Sequence, residues 1–473
     1  MGTPPQLQKT LKPRHLSMIA IAGVIGAGLF VGSGAAIRQS GPGILLAYAA
    51  AGVVVILVMR MLGEMAAANP ETGSFSSYAD KALGRWAGFS IGWLYAWFWT
   101  IVLGIEATAG AAIMHRWVPG IEQWVWALAL MILLTLTNVW SVKSYGEFEF
   151  WFASIKITAI ILFLVAGIAA ICGLIPGVEP PGMSNLTGHC GFFPNGGVAV
   201  LAGILVIVFS FFGAEIATIA AGESENPVDA VKKAANSVVW RIPIFYIGSV
   251  AIVVTLLPWD SASVAKSPYV AVIESFGVPA AGTIMDIVVL TSVLSCLNSG
   301  LYTASRMVFS LATRGDAPKA WQKTSRRGVP VTAVLASTVV GFITVGLNFL
   351  WPDTVFLFLV NTSGAIALFV WLVIATSQLI LRRRMGSDAR GLPIRMWLFP
   401  YLTWLSIGAI VALLIGMLVL EDTRESLLLS LGLAVVVVGL GVFRYRRGHA
   451  PAQTTPGAPA VDEAEVNGAP TGR

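Results

Sequence analysis

Apolar residues in this chain do not alternate with polar ones at the period of a strand. They run for about 20 residues at a time, the length needed to cross a hydrocarbon core. Twelve such runs are expected, at roughly 16–36, 43–67, 88–113, 123–141, 150–175, 197–221, 240–258, 281–307, 331–350, 355–381, 397–420 and 426–443. Between them stand the turn signals QSGPG, NPETGS, VPGI, PGVEPPG and SENP. The pattern predicts an all-α polytopic membrane protein. The short alternating segments of an outer-membrane barrel are absent. From residue 447 onward the chain is rich in Ala, Pro and Gly and has no aromatic residue, which reads as a disordered tail.

Two of the runs are weak as helices. The first contains IAGVIGAGLF, with Gly23, Gly26 and Gly28 inside six residues; each glycine costs about 1 kcal/mol against alanine in a helix interior. The sixth reads VFSFFGAEIATIAAGESENP. The sixth lies five runs after the first, an odd number, so the two cross in opposite directions. Glycine-interrupted segments at matching places of two halves point to an inverted repeat whose first and sixth helices are unwound at mid-membrane. Close helix packing through small residues is the alternative use of such glycines. A phosphate loop is excluded, because no Lys-Ser/Thr pair follows Gly28. Unwinding would free N–H groups at Gly26, Ala27 and Gly28, which suit an anion. It would also free carbonyls around Gly23–Ile25 and Phe209–Phe212, which suit a cation. A site with both ends suits a zwitterion.

Composition agrees with the pattern. Hydrophobic residues make up 56% and charged residues 11% of 473, and mean hydropathy is +0.79; a soluble domain carries roughly 25% charged residues. With twelve spans both termini share one side. Placing them in the cytoplasm leaves only Arg38, Arg116, Lys266 and Arg424 in outer connections, so both termini are expected to be cytoplasmic. No basic block interleaves with aromatics, and nucleic acid is not expected as a partner. Cys172, Cys190 and Cys296 form neither a disulfide framework nor a zinc pattern. His15, His115, His189 and His449 fall in tails and connections, so no metal or other cofactor is expected. No removable signal peptide is evident.

Charged residues inside the runs are functional candidates. Lys156 stands in the fifth run as a snorkelling side chain or a proton carrier. Glu106, deep in the third, is a protonated hydrogen bonder or a second protonatable group. Glu215 follows the sixth-run break and is a helix cap, a partner of substrate ammonium, or a gate. Glu64 is expected to neutralise Arg60, four residues earlier. Glu223 and Asp286 lie nearer run ends. Asp80, Lys81 and Arg85 read as a wetted connection.

The stretches SMIAIAGVIGAGLFVGS, residues 40–88 opening on Ser40-Gly41-Pro42, NSVVWRIPIFY and SCLNSGLYTASRM carry a resemblance. Over roughly residues 10–445 the chain resembles the amino acid–polyamine–organocation permeases, and within them the bacterial amino acid transporters, above all those taking 4-aminobutyrate (GABA). The resemblance implies five plus five inverted helices over residues 16–382, two added helices over 383–446, and cytoplasmic tails at 1–15 and 447–473. It implies proton-driven, sodium-independent import through the bacterial cytoplasmic membrane, without catalysis. The substrate carboxylate would meet Ile25, Gly26, Ala27 and Gly28, with the amino group on carbonyls of both breaks around Gly23, Phe211, Phe212 and Gly213. Phe209 would be the lid. Lys156 would carry the coupling proton, with Glu106 and Glu215 in coupling or gating. Cys296 and Asn298 would line the path on helix eight. An amino acid exchanger, or a permease for proline or for an aromatic or branched amino acid, is the alternative. An enzyme and a channel are disfavoured, the first by the missing convergent catalytic set and the second by breaks that build a closed site.

Overall fold

Helix ends fall where the sequence supplies a stop. Gly84, at φ +105°, separates α4 (Ser74–Leu83) from α5 (Arg85–Trp117). The Ser141 side chain accepts from the Ser144 backbone N–H at 3.0 Å and caps α7 (Val142–Ile171) as it leaves α6 (Gln123–Trp140). This computed structural model describes residues 11–446 apart from 12, 27, 225 and 352–354, so the expected tail at 447–473 lies outside the described residues. Among the described residues the only strand-like contact is a single bridge between Leu11 and Ser224. Ten helices among them are long and apolar enough to cross a membrane.

The first expected run is interrupted. α1 covers Pro13–Ala22, and helix resumes as a wide turn at Gly28–Gly32 and then α2 (Ser33–Ser40) before α3 (Ile44–Ala68). His15 therefore belongs to a helix, not to a tail, and it is buried beside Glu147 at 3.2 Å. The sixth run is likewise α8 (Gly196–Phe211) followed, after a gap, by α9 (Ile216–Ala220). α10 (Pro227–Arg241) passes through a second wide turn, Ile242–Gly248, into α11 (Ser249–Leu256). α12 (Pro268–Ser275) precedes α13 (Ala281–Thr313), α14 (Val331–Leu350), α15 (Val355–Met385), α16 (Tyr401–Val419) and α17 (Glu421–Arg446).

α5 is the hub, packed by α4, α6, α13, α14, α15 and α17. Its most apolar stretch is 83% buried, against 22% for α16 and for α17. The last two helices thus form an outer layer. Leu136, Trp151, Leu162 and Val435, all exposed, belong to the lipid-facing surface.

Tertiary contacts replace a local pairing. Glu64 makes no direct ion pair with Arg60 among the described residues, although the two charges still attract each other. The Glu64 carboxylate takes Arg382, the Gln378 amide at 2.8 Å and the Met396 N–H at 2.6 Å. Arg60 instead donates to the Asn236 side chain and the Arg395 carbonyl, each at 2.8 Å. The Asp80 connection is not simply wetted. Burial raises the Asp80 carboxyl above its ordinary range, opposed by Arg314 and Arg85. Asp286 pairs with Arg116 at 2.7 Å. Glu223 and Arg306 form a fully buried pair at 2.9 Å, with the Tyr302 hydroxyl donating to the same acid at 2.7 Å.

Candidate functional site

The two helix interruptions touch. Segment one loses its helix after Ala22 and regains it at Gly28; segment six turns through Phe212–Glu215. Gly213 has φ +113°, a conformation that side chains resist, and a Cβ there would run into the Gly23 carbonyl. Freed backbone groups at this depth need partners, and side chains supply them. Lys156 Nζ donates to the Ile25 carbonyl at 2.8 Å. The Tyr246 hydroxyl donates to the Val24 carbonyl at 2.9 Å and lies 3.2 Å from the Ser210 carbonyl. Ser210 Oγ donates to the Gly28 carbonyl at 2.8 Å. Glu215 accepts from the Gly213 N–H at 3.1 and 3.2 Å and from the Tyr95 hydroxyl at 3.0 Å. It therefore caps the break itself and not the helix that follows.

Beside the touching breaks lies a small cavity. Gly26, Gly28 and Ser210 give it backbone and hydroxyl groups, Trp99 and Glu106 face it from α5, and Cys296 closes it from α13. Phe212 lines it too, packed edge-on against Phe98 with centroids 4.2 Å apart. A Cβ added at Gly26 would lie 2.7 Å from Glu106 Oε1 and 2.8 Å from Cys296 Sγ, so only a bare backbone fits between them. One carboxyl, a thiol and a run of open backbone inside an aromatic wall can hold a small polar solute.

Not every expected residue borders this cavity. Gly23 and Gly213 make the contact between breaks. Ile25 and Phe211 line a second cavity on the other side of it. Glu215 is not among the lining residues. Asn298 accepts from the Asn138 amide at 2.8 Å and donates to Glu149 at 3.3 Å. Ala27 and the side chain of Phe209 lie outside the described residues.

Residues 15–448 match the family model of amino acid permeases. The chain belongs to the amino acid permease family. It is 57% identical to the gamma-aminobutyric acid permease of Bacillus subtilis (strain 168), over 95% of this chain and 96% of that one. It is 53% identical to a probable GABA permease of Pseudomonas aeruginosa, over 92% of each chain. Identity to the gamma-aminobutyric acid permease of Escherichia coli (strain K12) is 51%, over 92% of this chain and 93% of that one. This permease is a multi-pass membrane transporter of an amino acid and not an enzyme.

The permease also holds residues that the sequence did not single out. Trp99, Phe98 and Val102 bring the wall of the cavity from α5. Glu149, fully buried, takes Ser295 Oγ at 2.5 Å as well as Asn298. It precedes Lys156 by seven residues, two turns of the same helix face. Its neighbour Glu147 points the other way, to Arg14 at 2.5 Å.

Cys296 is buried, whereas Cys172 and Cys190 are exposed. In a permease with Cys172 and Cys190 changed to serine, a small membrane-permeant thiol reagent should block uptake, and saturating substrate should slow the block several-fold. Equal rates of inactivation with and without substrate would place the substrate elsewhere.

Proposed function

We propose that this permease imports 4-aminobutyrate or a close analogue together with a proton, by alternating access, across a bacterial cytoplasmic membrane with both termini in the cytoplasm. The substrate follows from the three relatives named for GABA, whose likeness runs nearly end to end. Counting each interrupted helix as one crossing gives twelve segments. The first ten form two inverted halves over residues 16–382, and two more follow over 383–446. The paired breaks at Gly23–Gly26 and Phe212–Glu215 favour that division.

One observation carries the coupling: Lys156, fully buried on α7, reaches into the break of segment one and holds the Ile25 carbonyl at 2.8 Å. A lysine ties that carbonyl strongly when charged, because hydrogen bonds from an ionised donor are about twice as strong as neutral ones. Loss of its proton would loosen the tie between α7 and the break, letting the inner half of segment one swing. Glu149 would trade that proton, and its carboxylate is held by Ser295 and Asn298. The substrate carboxylate would take the open backbone at Gly26 and Gly28. At that separation Glu106 and a bound carboxylate resist being charged together. Glu106 is therefore neutral when the carboxylate sits there, or it draws the ammonium end.

The direct test is the full-length protein in liposomes, an alkaline interior, and labelled amino acids. GABA should accumulate above its external concentration and collapse when the pH gradient is dissipated. Uptake that ignores the gradient but requires internal substrate would mean an exchanger, and preference for an α-amino acid would end the GABA assignment.

Substrate length gives a finer test. GABA holds its charges three methylenes apart, an α-amino acid one carbon apart. Glu106 is the acid lining the cavity, so Glu106→Gln should weaken uptake of ω-amino acids by roughly tenfold or more, the loss of one buried charge partner. It should spare whatever binding α-amino acids show. Glu215→Gln should hurt all ligands alike, because Glu215 holds the break and not the cavity. Equal loss of both substrate classes in Glu106→Gln would give Glu106 a role in proton transfer instead.

A further inference from the structure

The second cavity lies across the breaks from Trp99 and Glu106, and neither residue lines it. Val24, Ala214, Val238, Ile242 and Phe245 make it almost wholly apolar, with one exception, Arg241. Arg241 is the last residue of α10, 8% exposed, near the start of the seventh apolar run. Nε, Nη1 and Nη2 all lack a hydrogen-bond partner among the described residues, and no salt bridge reaches the residue among them. No acid lines this cavity among the described residues.

A guanidinium has five N–H donors and keeps its charge in any protein setting. Left bare in an apolar cavity, it costs several kcal/mol. Nothing about packing requires it there, since a leucine would fill the same wall. The backbone beside it is also unusual. Immediately after Arg241 the helix widens through Ile242–Gly248, where Pro243 has no N–H to give. Such widened turns are frequent at functional sites. The same turn carries Tyr246, whose hydroxyl bonds carbonyls of both breaks. A charge placed in this cavity therefore acts on the groups that hold the breaks together.

We propose that Arg241 holds a small monovalent anion in this second cavity, between segments one, two, six and seven, as a co-ligand distinct from the transported amino acid. The anion neutralises the guanidinium. It also sets the position of the turn that carries Tyr246, and with it the geometry of the breaks. A compact, singly charged halide suits this small apolar space best.

The test uses the full-length purified protein without amino acid substrate, so its outcome does not depend on what is transported. Chloride is replaced by isethionate at constant ionic strength, and the thermal unfolding midpoint is followed as chloride, or separately acetate, is returned. The wild type should show a saturable rise, as any ligand bound only by the folded state produces. In Arg241→Gln the half-effect concentration should rise by roughly a hundredfold or more, as when a buried pair loses one member. Response to chloride alone identifies a halide site, and response to acetate as well identifies a site for carboxylates. A flat wild-type midpoint with both anions overturns the proposal, as does an unchanged response in Arg241→Gln. Should Arg241→Gln fail to fold, Arg241→Lys decides. A weakened but saturable response supports the site, and one identical to wild type overturns it.

Discussion

Lys156→Ala should abolish accumulation of substrate under an imposed pH gradient while the protein still inserts and folds. The ammonium of Lys156 is fully buried and spans from α7 to the Ile25 carbonyl inside the first break. Removing it leaves that carbonyl without its cationic donor and removes the group proposed to carry the proton. Loss of one member of a buried charged interaction costs about 3–5 kcal/mol, so gradient-driven uptake should fall by more than a hundredfold. Lys156→Arg separates charge from proton exchange. Arginine keeps the charge and the hydrogen bond but does not release a proton in a protein. This variant should bind substrate and fail to concentrate it. The measurement is uptake into liposomes with and without the gradient, beside equilibrium binding. Wild-type accumulation in Lys156→Ala would remove Lys156 from coupling.

Gly26→Val is expected to abolish substrate binding. Its Cβ would stand 2.7 Å from Glu106 Oε1, 2.8 Å from Cys296 Sγ and 2.9 Å from Cys296 Cβ. Two methyl groups on that carbon would then fill the cavity beside the breaks. A β-branched side chain also resists the non-helical backbone found there. Overpacking of a filled site costs about 1–3 kcal/mol before any lost contact to the ligand is counted. Affinity should drop by at least about a hundredfold, with the unfolding midpoint lowered only modestly. Normal affinity would mean that these glycines serve helix packing and nothing more.

Several features were legible because they break a pattern. Gly23, Gly26 and Gly28 weaken an otherwise apolar run, and that run is interrupted where they stand. The polar FFGAE stretch marks the second interruption in the same way. Lys156 and Glu106 are visible as charges in apolar surroundings, and both prove buried at the breaks or the cavity. Trp99 was not legible. It sits on a helix buried nearly all round, so no polar face fixes which residues look inward. Glu149 was hidden by Glu147: two acids in EFEF look alike in sequence, yet two residues turn a helix by about 200° and send one out and one in. Glu64 misled for a different reason. A partner four residues away is the natural local guess, but Arg382 and Gln378 arrive from α15 with hydrogen-bond geometry that Arg60 does not offer.

The Glu223–Arg306 pair makes two distant positions a single heritable unit. Both side chains are sealed from water, and Tyr302 shares the acid. A lineage that alters either one strands a charge, at about 3–5 kcal/mol, a large part of the whole margin by which a folded chain survives. Drift at position 223 therefore waits on drift at 306. The passable route exchanges both for apolar residues, which folds as well or better but gives up the ionic tie between α13 and the stretch that follows α9.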